Sequence, residues 1–153
     1  MIKRTALILL PFVVGIQFYR PEKHTLSPGS SQDDFIARHE APSEVRRLFS
    51  VACYDCHSNQ THYPWYAEIQ PLGWWLAKHI EEGRDSLDLS PLGGASAKKQ
   101  AKRIDAMIAV IPDRSMPLPS YTWIHRDANL DEKNIKLLTD WLGQIREKLG
   151  VDQ

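Results

Sequence analysis

The chain is poor in cysteine, has no excess charge of either sign, and lacks the alternating apolar and polar pattern of strands. Each shortage excludes a class. Two cysteines in 153 residues are too few for a disulfide framework. The 19 basic residues are balanced by 19 acidic ones, so no positive excess exists to neutralise a phosphate backbone, and no nucleic-acid partner is expected. The length leaves room for one domain with short extensions. No apolar run reaches the roughly 20 residues of an ordinary membrane-crossing helix. What the chain does have is aromatic surface, with 5 Trp and 5 Tyr, which needs large apolar partners.

The first residues place Lys3 and Arg4 ahead of an almost charge-free run from Thr5 to Tyr19, closed by Arg20 and Pro21. That order is the layout of a signal peptide or a signal anchor. As a helix the run spans about 22 Å, less than the roughly 30 Å hydrocarbon layer unless flanking residues snorkel. Its end is marked by bulky Gln17, Phe18, Tyr19 and Arg20, with Val13-x-Gly15 as the sole, weak match to a small-residue cleavage site. Residues 1–20 are therefore expected to be an uncleaved anchor in the inner membrane. Lys3 and Arg4 would stay in the cytoplasm and the rest of the chain would lie in the periplasm. Residues 21–41, rich in Ser, Pro, Gly and charge, read as a tether, with the folded domain at 42–150.

Helical periodicity dominates that domain. Val45, Leu48, Phe49 and Ala52 recur at helical spacing after Ser43, a possible N-cap. Pro71 suits the first turn of a second helix, with Leu72, Trp75, Leu76, His79 and Ile80 in one stripe as far as Gly83. A third helix over about 96–111 turns Ile104, Met107, Ile108 and Ile111 inward and Lys98, Lys99, Lys102 and Arg103 outward, ending at Pro112. The last starts near Asp131 and runs to Leu149 with Ile135, Leu138, Trp141, Leu142 and Ile145 on one face. The fold class is all-α, with irregular connections at 58–70, 84–95 and 112–130 of the length that often wraps a ligand.

Chemistry concentrates in Cys53-Tyr54-Asp55-Cys56-His57, a C-x-x-C-H signature of covalent haem attachment. Two thiols at this spacing can reach the two vinyl groups of a porphyrin edge, and the next residue supplies an imidazole to the iron. A dithiol redox pair belongs to a βαβ context that is absent here, and a zinc site would need another ligand, for which only His62 is near. Met116, between Pro112 and Pro119, is the leading candidate for the second axial ligand. His79 and an open iron position are the alternatives. Met107 lies on an apolar stripe and reads as core, whereas His24, His39, His62 and His125 read as surface residues. Trp65 and Trp75 are either walls of the porphyrin site or simple core residues, and Trp141 reads as core.

Together with Tyr63-Pro64-Trp65-Tyr66, Trp74-Trp75, His79-Ile80, Gly83-Arg84 and Met116-Pro117 followed by Tyr121, this motif resembles the haem-binding domain family of small bacterial c-type cytochrome-like proteins. The resemblance covers nearly the whole chain. It implies a cytochrome c-like helical domain around one covalent haem c per chain, an exported location, and membership in electron-transfer systems, sometimes beside di-haem peroxidase domains. The chain departs from the family pattern over Asp88-Leu89-Ser90-Pro91-Leu92 and Gly93-Gly94.

The expected function is that of a membrane-anchored periplasmic monohaem cytochrome, not an enzyme, passing single electrons between redox protein partners such as other cytochromes. Cys53 and Cys56 would hold the porphyrin, and His57 and Met116 would be the metal ligands. The competing reading is a haem-based sensor or small-ligand binder with an open iron position. A peroxidase-like enzyme would require His79 or His125 as its acid–base residue.

Overall fold

The computed structural model describes residues 2–23 and 32–151. Among the described residues the elements are all helical, as expected. They are α1 (Ile2–Ile16), α2 (Phe35–Arg38), α3 (Ser43–Ala52), α4 (Tyr54–His57), α5 (Leu72–Ser86), α6 (Ala97–Val110), α7 (Pro119–Ile124) and α8 (Glu132–Lys148). Three short 3₁₀ turns, Trp65–Glu68, Leu92–Gly94 and Arg126–Ala128, give form to connections that the sequence reads as irregular.

Capping chemistry explains several boundaries. Ser96 and Asp131 each accept a backbone N–H from the first turn of their helix, α6 and α8 respectively. At α3 the cap position falls to Pro42 and Ser43 is the first helical residue, so the helix starts one position earlier than expected. Helix α5 runs through Gly83 to Ser86 instead of stopping at the glycine, a difference that matters for the site.

The main core lies where α3, α6 and α8 meet. Val45, Leu48 and Phe49 of α3, Ile104 of α6, and Leu138 and Leu142 of α8 are fully buried. Trp141 is core, as its stripe implies: the rings of Phe35 and Phe49 meet it edge-on at 5.7 and 5.8 Å. A second, smaller apolar cluster joins Tyr66 and Ala67 of the 3₁₀ turn to Leu76 and Ile80 of α5.

The tether expected over 21–41 gives way at its carboxy-terminal end to packed structure, while residues 24–31 lie outside the described residues. Phe35, Ile36 and Ala41 are buried in the main core. The buried carboxylate of Asp34 caps α2 by accepting the N–H groups of Ile36 and Ala37. It also accepts the hydroxyl of Tyr54, inside the C-x-x-C-H motif, at 2.8 Å. A buried carboxylate is tolerable only with such a set of donors, and these donors fix the segment against the motif. At four residues, α2 is too short to show helical periodicity, which is why composition alone suggests a linker.

The amino-terminal expectation also changes. Helix α1 has 15 residues, and no helix among the described residues is long and apolar enough to cross a membrane. A membrane-spanning anchor is therefore not found. Instead the residues after α1 are fastened to the domain: Gln17 exchanges hydrogen bonds with the backbone of Gln70, and the indole N–H of Trp74 donates to the carbonyl of Tyr19.

Candidate functional site

Helix α3 carries the chain to Cys53, where the backbone breaks from helical geometry before the single turn of α4 delivers Cys56 and His57. The break places the motif at the seam between the two apolar clusters. Cys53 packs against the main core and Cys56 against the smaller one. Both thiols border a cleft made of two adjoining cavities of about 150 and 330 Å³. Cys53, His57, Met116 and Pro117 line both of them.

His57 is the best-defined group in the cleft. Its Nδ1 lies 2.9 Å from the carbonyl oxygen of Gly83 and 3.0 Å from that of Leu87. Carbonyls only accept, so in the neutral ring Nδ1 carries the proton and Nε2 keeps its lone pair. The motif backbone is held from the same side. Leu89 donates its N–H to the carbonyl of His57, and Arg84 donates Nε–H to the carbonyl of Ser58. The segment that departs from the family pattern is thus structural: Leu89 and Leu92 are buried, and Leu89 reaches His57 directly.

Close approach of α5 to the motif requires the glycine in its last turns. A Cβ at Gly83 would stand 2.6 Å from the carbonyl oxygen of Cys56, so any side chain would push α5 away from the carbonyls that orient His57.

Met116 stands in a fastened loop. Its N–H donates to the carbonyl of Val110, Ser115 donates to Asp113, and Arg114 donates to the carbonyl of Leu130 and pairs with Glu132 at 2.5 Å. Arg114 adopts φ of +61°, a left-handed turn that reverses the chain after α6. His79 also borders the larger cavity, with its Nδ1 2.9 Å from the carbonyl of Trp75. Two candidates for the second ligand therefore share the cleft with His57.

The remaining sequence candidates are placed differently. Trp65 is largely exposed and Trp75 partly so, and neither is among the residues lining the two cavities. Trp75 instead lies against the ring of His79, with centroids 4.2 Å apart. Met107 is buried, as its stripe implies, at the wall of the smaller cavity. His125 is more than a surface residue. It stacks on Tyr121 at 4.3 Å and sits 2.9 Å from the hydroxyl of Tyr66.

Two site residues escape a reading of periodicity. Arg103, expected outward with its lysine neighbours, is half-buried and lines the smaller cavity. Its position next to Ile104 and one turn before Met107 is the only signal. Tyr121 donates its hydroxyl to Asp55 at 2.7 Å and so ties α7 to the middle of the motif. Burial and that carboxylate push the Tyr121 hydroxyl well above the usual phenol range. Burial similarly pushes the thiol of Cys53 up to about 12 and that of Cys56 to about 11, with Asp55 adding to the latter.

A half-buried motif with two protonated thiols and one oriented imidazole, sharing its cleft with a thioether, is a donor set of a distinct kind. Among the described residues no group of three or more His, Cys, Asp or Glu side chains could hold a bare metal ion, so a zinc centre has no support here. The model of the haem-binding domain family matches residues 11–144, and the chain belongs to that family. Comparison with curated proteins and with solved structures finds no match. The residues present fit haem, since the cleft is walled mainly by apolar side chains, including Ala52, Leu87, Val110 and Ile111, and offers Nε2 of His57 as a free donor.

Proposed function

We propose that the chain is an exported, membrane-attached monohaem c-type cytochrome that transfers single electrons between redox proteins and has no catalytic turnover of its own. The observation that carries this reading is the double anchoring of His57 Nδ1 by Gly83 and Leu87, in a cleft shared with Cys53, Cys56 and Met116. When bound, haem supplies an iron centre that alternates between ferric and ferrous states. Cys53 and Cys56 would hold the porphyrin through thioether links. His57 would ligate through Nε2, with its ring orientation fixed by the two carbonyls behind it. Met116 would supply the second ligand, and a thioether there favours the ferrous state and a relatively high potential. The apolar lining excludes water, and Arg103 provides a positive charge for the carboxylate groups that haem carries. The basic-then-apolar start of the chain supports export, with the domain on the periplasmic side of the inner membrane. Its partners would be other cytochromes or di-haem peroxidase-type proteins.

A second reading rests on His79, whose Nδ1 is also tied to a carbonyl and whose ring borders the same cleft. In it, Met116 is not a ligand, and the iron is either bis-histidine or open to a small molecule, as in a sensor. Spectra of Met116→Ala and His79→Ala decide between them. The proposed cytochrome loses its near-infrared thioether band in the first variant and keeps it in the second. Retention of the wild-type spectrum in Met116→Ala would transfer the assignment to the second reading.

A further inference from the structure

The point at which α1 leaves the domain is marked by exposed apolar side chains. Trp65 is 75% exposed, Leu72 48%, Ile69 44% and Trp75 43%. Ile69 and Leu72 lie within two residues of Gln70, whose backbone N–H and carbonyl are both bonded to Gln17, directly after α1. The clamp continues along the chain. Tyr19 meets Trp74 edge-on at 6.0 Å, Arg20 pairs with Glu68 at 2.5 Å, and Lys23 pairs with the same carboxylate while lying over the ring of Tyr63. The segment that directly follows α1 is therefore fastened to the domain along Gln17 to Lys23.

Helix α1 itself exposes Leu9, Leu10, Phe12, Val13 and Val14, followed by Phe18 and Tyr19. These side chains have no cover in the domain, and α1 is too short to bury them by crossing a bilayer. The chain leaving α1 is bonded to Gln70 within the 65–75 patch, and the charges at that junction, Arg20, Lys23 and Glu68, are paired with one another. The outer faces of α6 and α8 are unlike it: Lys98, Lys99, Lys102, Lys133 and Lys136 are exposed there.

We propose that the surface formed by Trp65, Ile69, Leu72 and Trp75 is seated in the interfacial layer of a lipid bilayer, beside an α1 that is embedded at the same level. Tryptophan at the rim of an apolar surface suits the headgroup layer, where its ring is dry and its N–H is wet. A short apolar helix plus a fixed apolar patch on the domain gives the two attachments that stable membrane binding needs. The seat sets the orientation of the cleft, because Trp75 lies in the patch and its ring neighbour His79 borders the cavity. The proposal rests on the membrane attachment stated above.

The test uses the full chain, loaded with haem, on vesicles of phosphatidylethanolamine and phosphatidylglycerol. Flotation reports attachment, and hydroxyl-radical footprinting read by mass spectrometry reports which side chains the lipid covers. The expected result is flotation with severalfold lower oxidation of Trp65, Leu72 and Trp75, while peptides from α6 and α8 are unchanged. In an Ile69→Glu/Leu72→Glu variant with unaltered haem content, the floated fraction should fall severalfold. Flotation with Trp65 and Trp75 oxidised as in free solution would overturn the seat while leaving membrane attachment standing, and would assign the patch to a protein partner. Absence of flotation would overturn attachment itself.

Discussion

The two apolar clusters that flank the C-x-x-C-H motif are built by opposite means. The main core, which receives Cys53, is built mainly of side chains from three regular helices and is held by volume: Phe49, Leu48, Ile104, Leu138 and Leu142 are sealed from water. The smaller cluster, which receives Cys56, has only Tyr66, Ala67, Leu76 and Ile80. Around it the contacts are polar and backbone-made: Gly83 and Leu87 carbonyls on His57, Arg84 on Ser58, Tyr121 on Asp55. The lesson is a division of labour, in which one side supplies stability and the other sets the orientation of the His57 ring.

Substitutions on the two sides should separate those roles. Leu138→Ala opens the main core and is expected to cost about 2–5 kcal/mol in denaturant unfolding, with the haem spectrum of the folded protein unchanged. Tyr54→Phe removes a donor from the buried Asp34 and should cost about 1.5–3 kcal/mol, the measure of how firmly α2 is packed to the motif. Gly83→Ala should cost only about 1–3 kcal/mol, yet it should abolish or sharply reduce haem incorporation because α5 can no longer reach His57. A glycine-to-alanine change at Gly143 of α8, where a Cβ meets nothing within 4 Å, should instead stabilise by about 0.5–1 kcal/mol.

A graded effect follows from the thiols. In the haem-free chain both folded pKa values lie above the ordinary 9.0, so the folded state keeps its protons where the unfolded state loses them. Stability should be unaffected below about pH 9 and fall as pH rises toward about 12. Cys53→Ala/Cys56→Ala should flatten that alkaline decline in a urea titration run at several pH values. The smallest effect belongs to the exposed pair Lys136–Asp140 on α8, where Lys136→Ala should change stability by about 0.5 kcal/mol or less.

Most of the main core is legible from periodicity, because Val45, Leu48 and Phe49, or Ile135, Leu138, Trp141 and Leu142, recur at the spacing that one helical face dictates. The motif is legible because its spacing is a chemical requirement. Asp34 and the α2 segment are not, since a four-residue helix shows no period and its buried carboxylate looks like any surface acid until Tyr54 is seen to donate to it. Arg103 shares a helix with three outward cations, and only tertiary packing turns it to the cleft. The hydrogen bonds on His57 come from backbone carbonyls, which carry no trace in residue identity.

The most direct test of the central claim is mass spectrometry of the chain produced with c-type maturation machinery, after extraction with acidified organic solvent. The account predicts that haem stays bound to the peptide holding Cys53, Cys56 and His57, and that the intact oxidised protein shows the near-infrared thioether-to-iron band. Complete removal of haem by the solvent, or a chain that never acquires it, would contradict the assignment of Cys53 and Cys56 as attachment points.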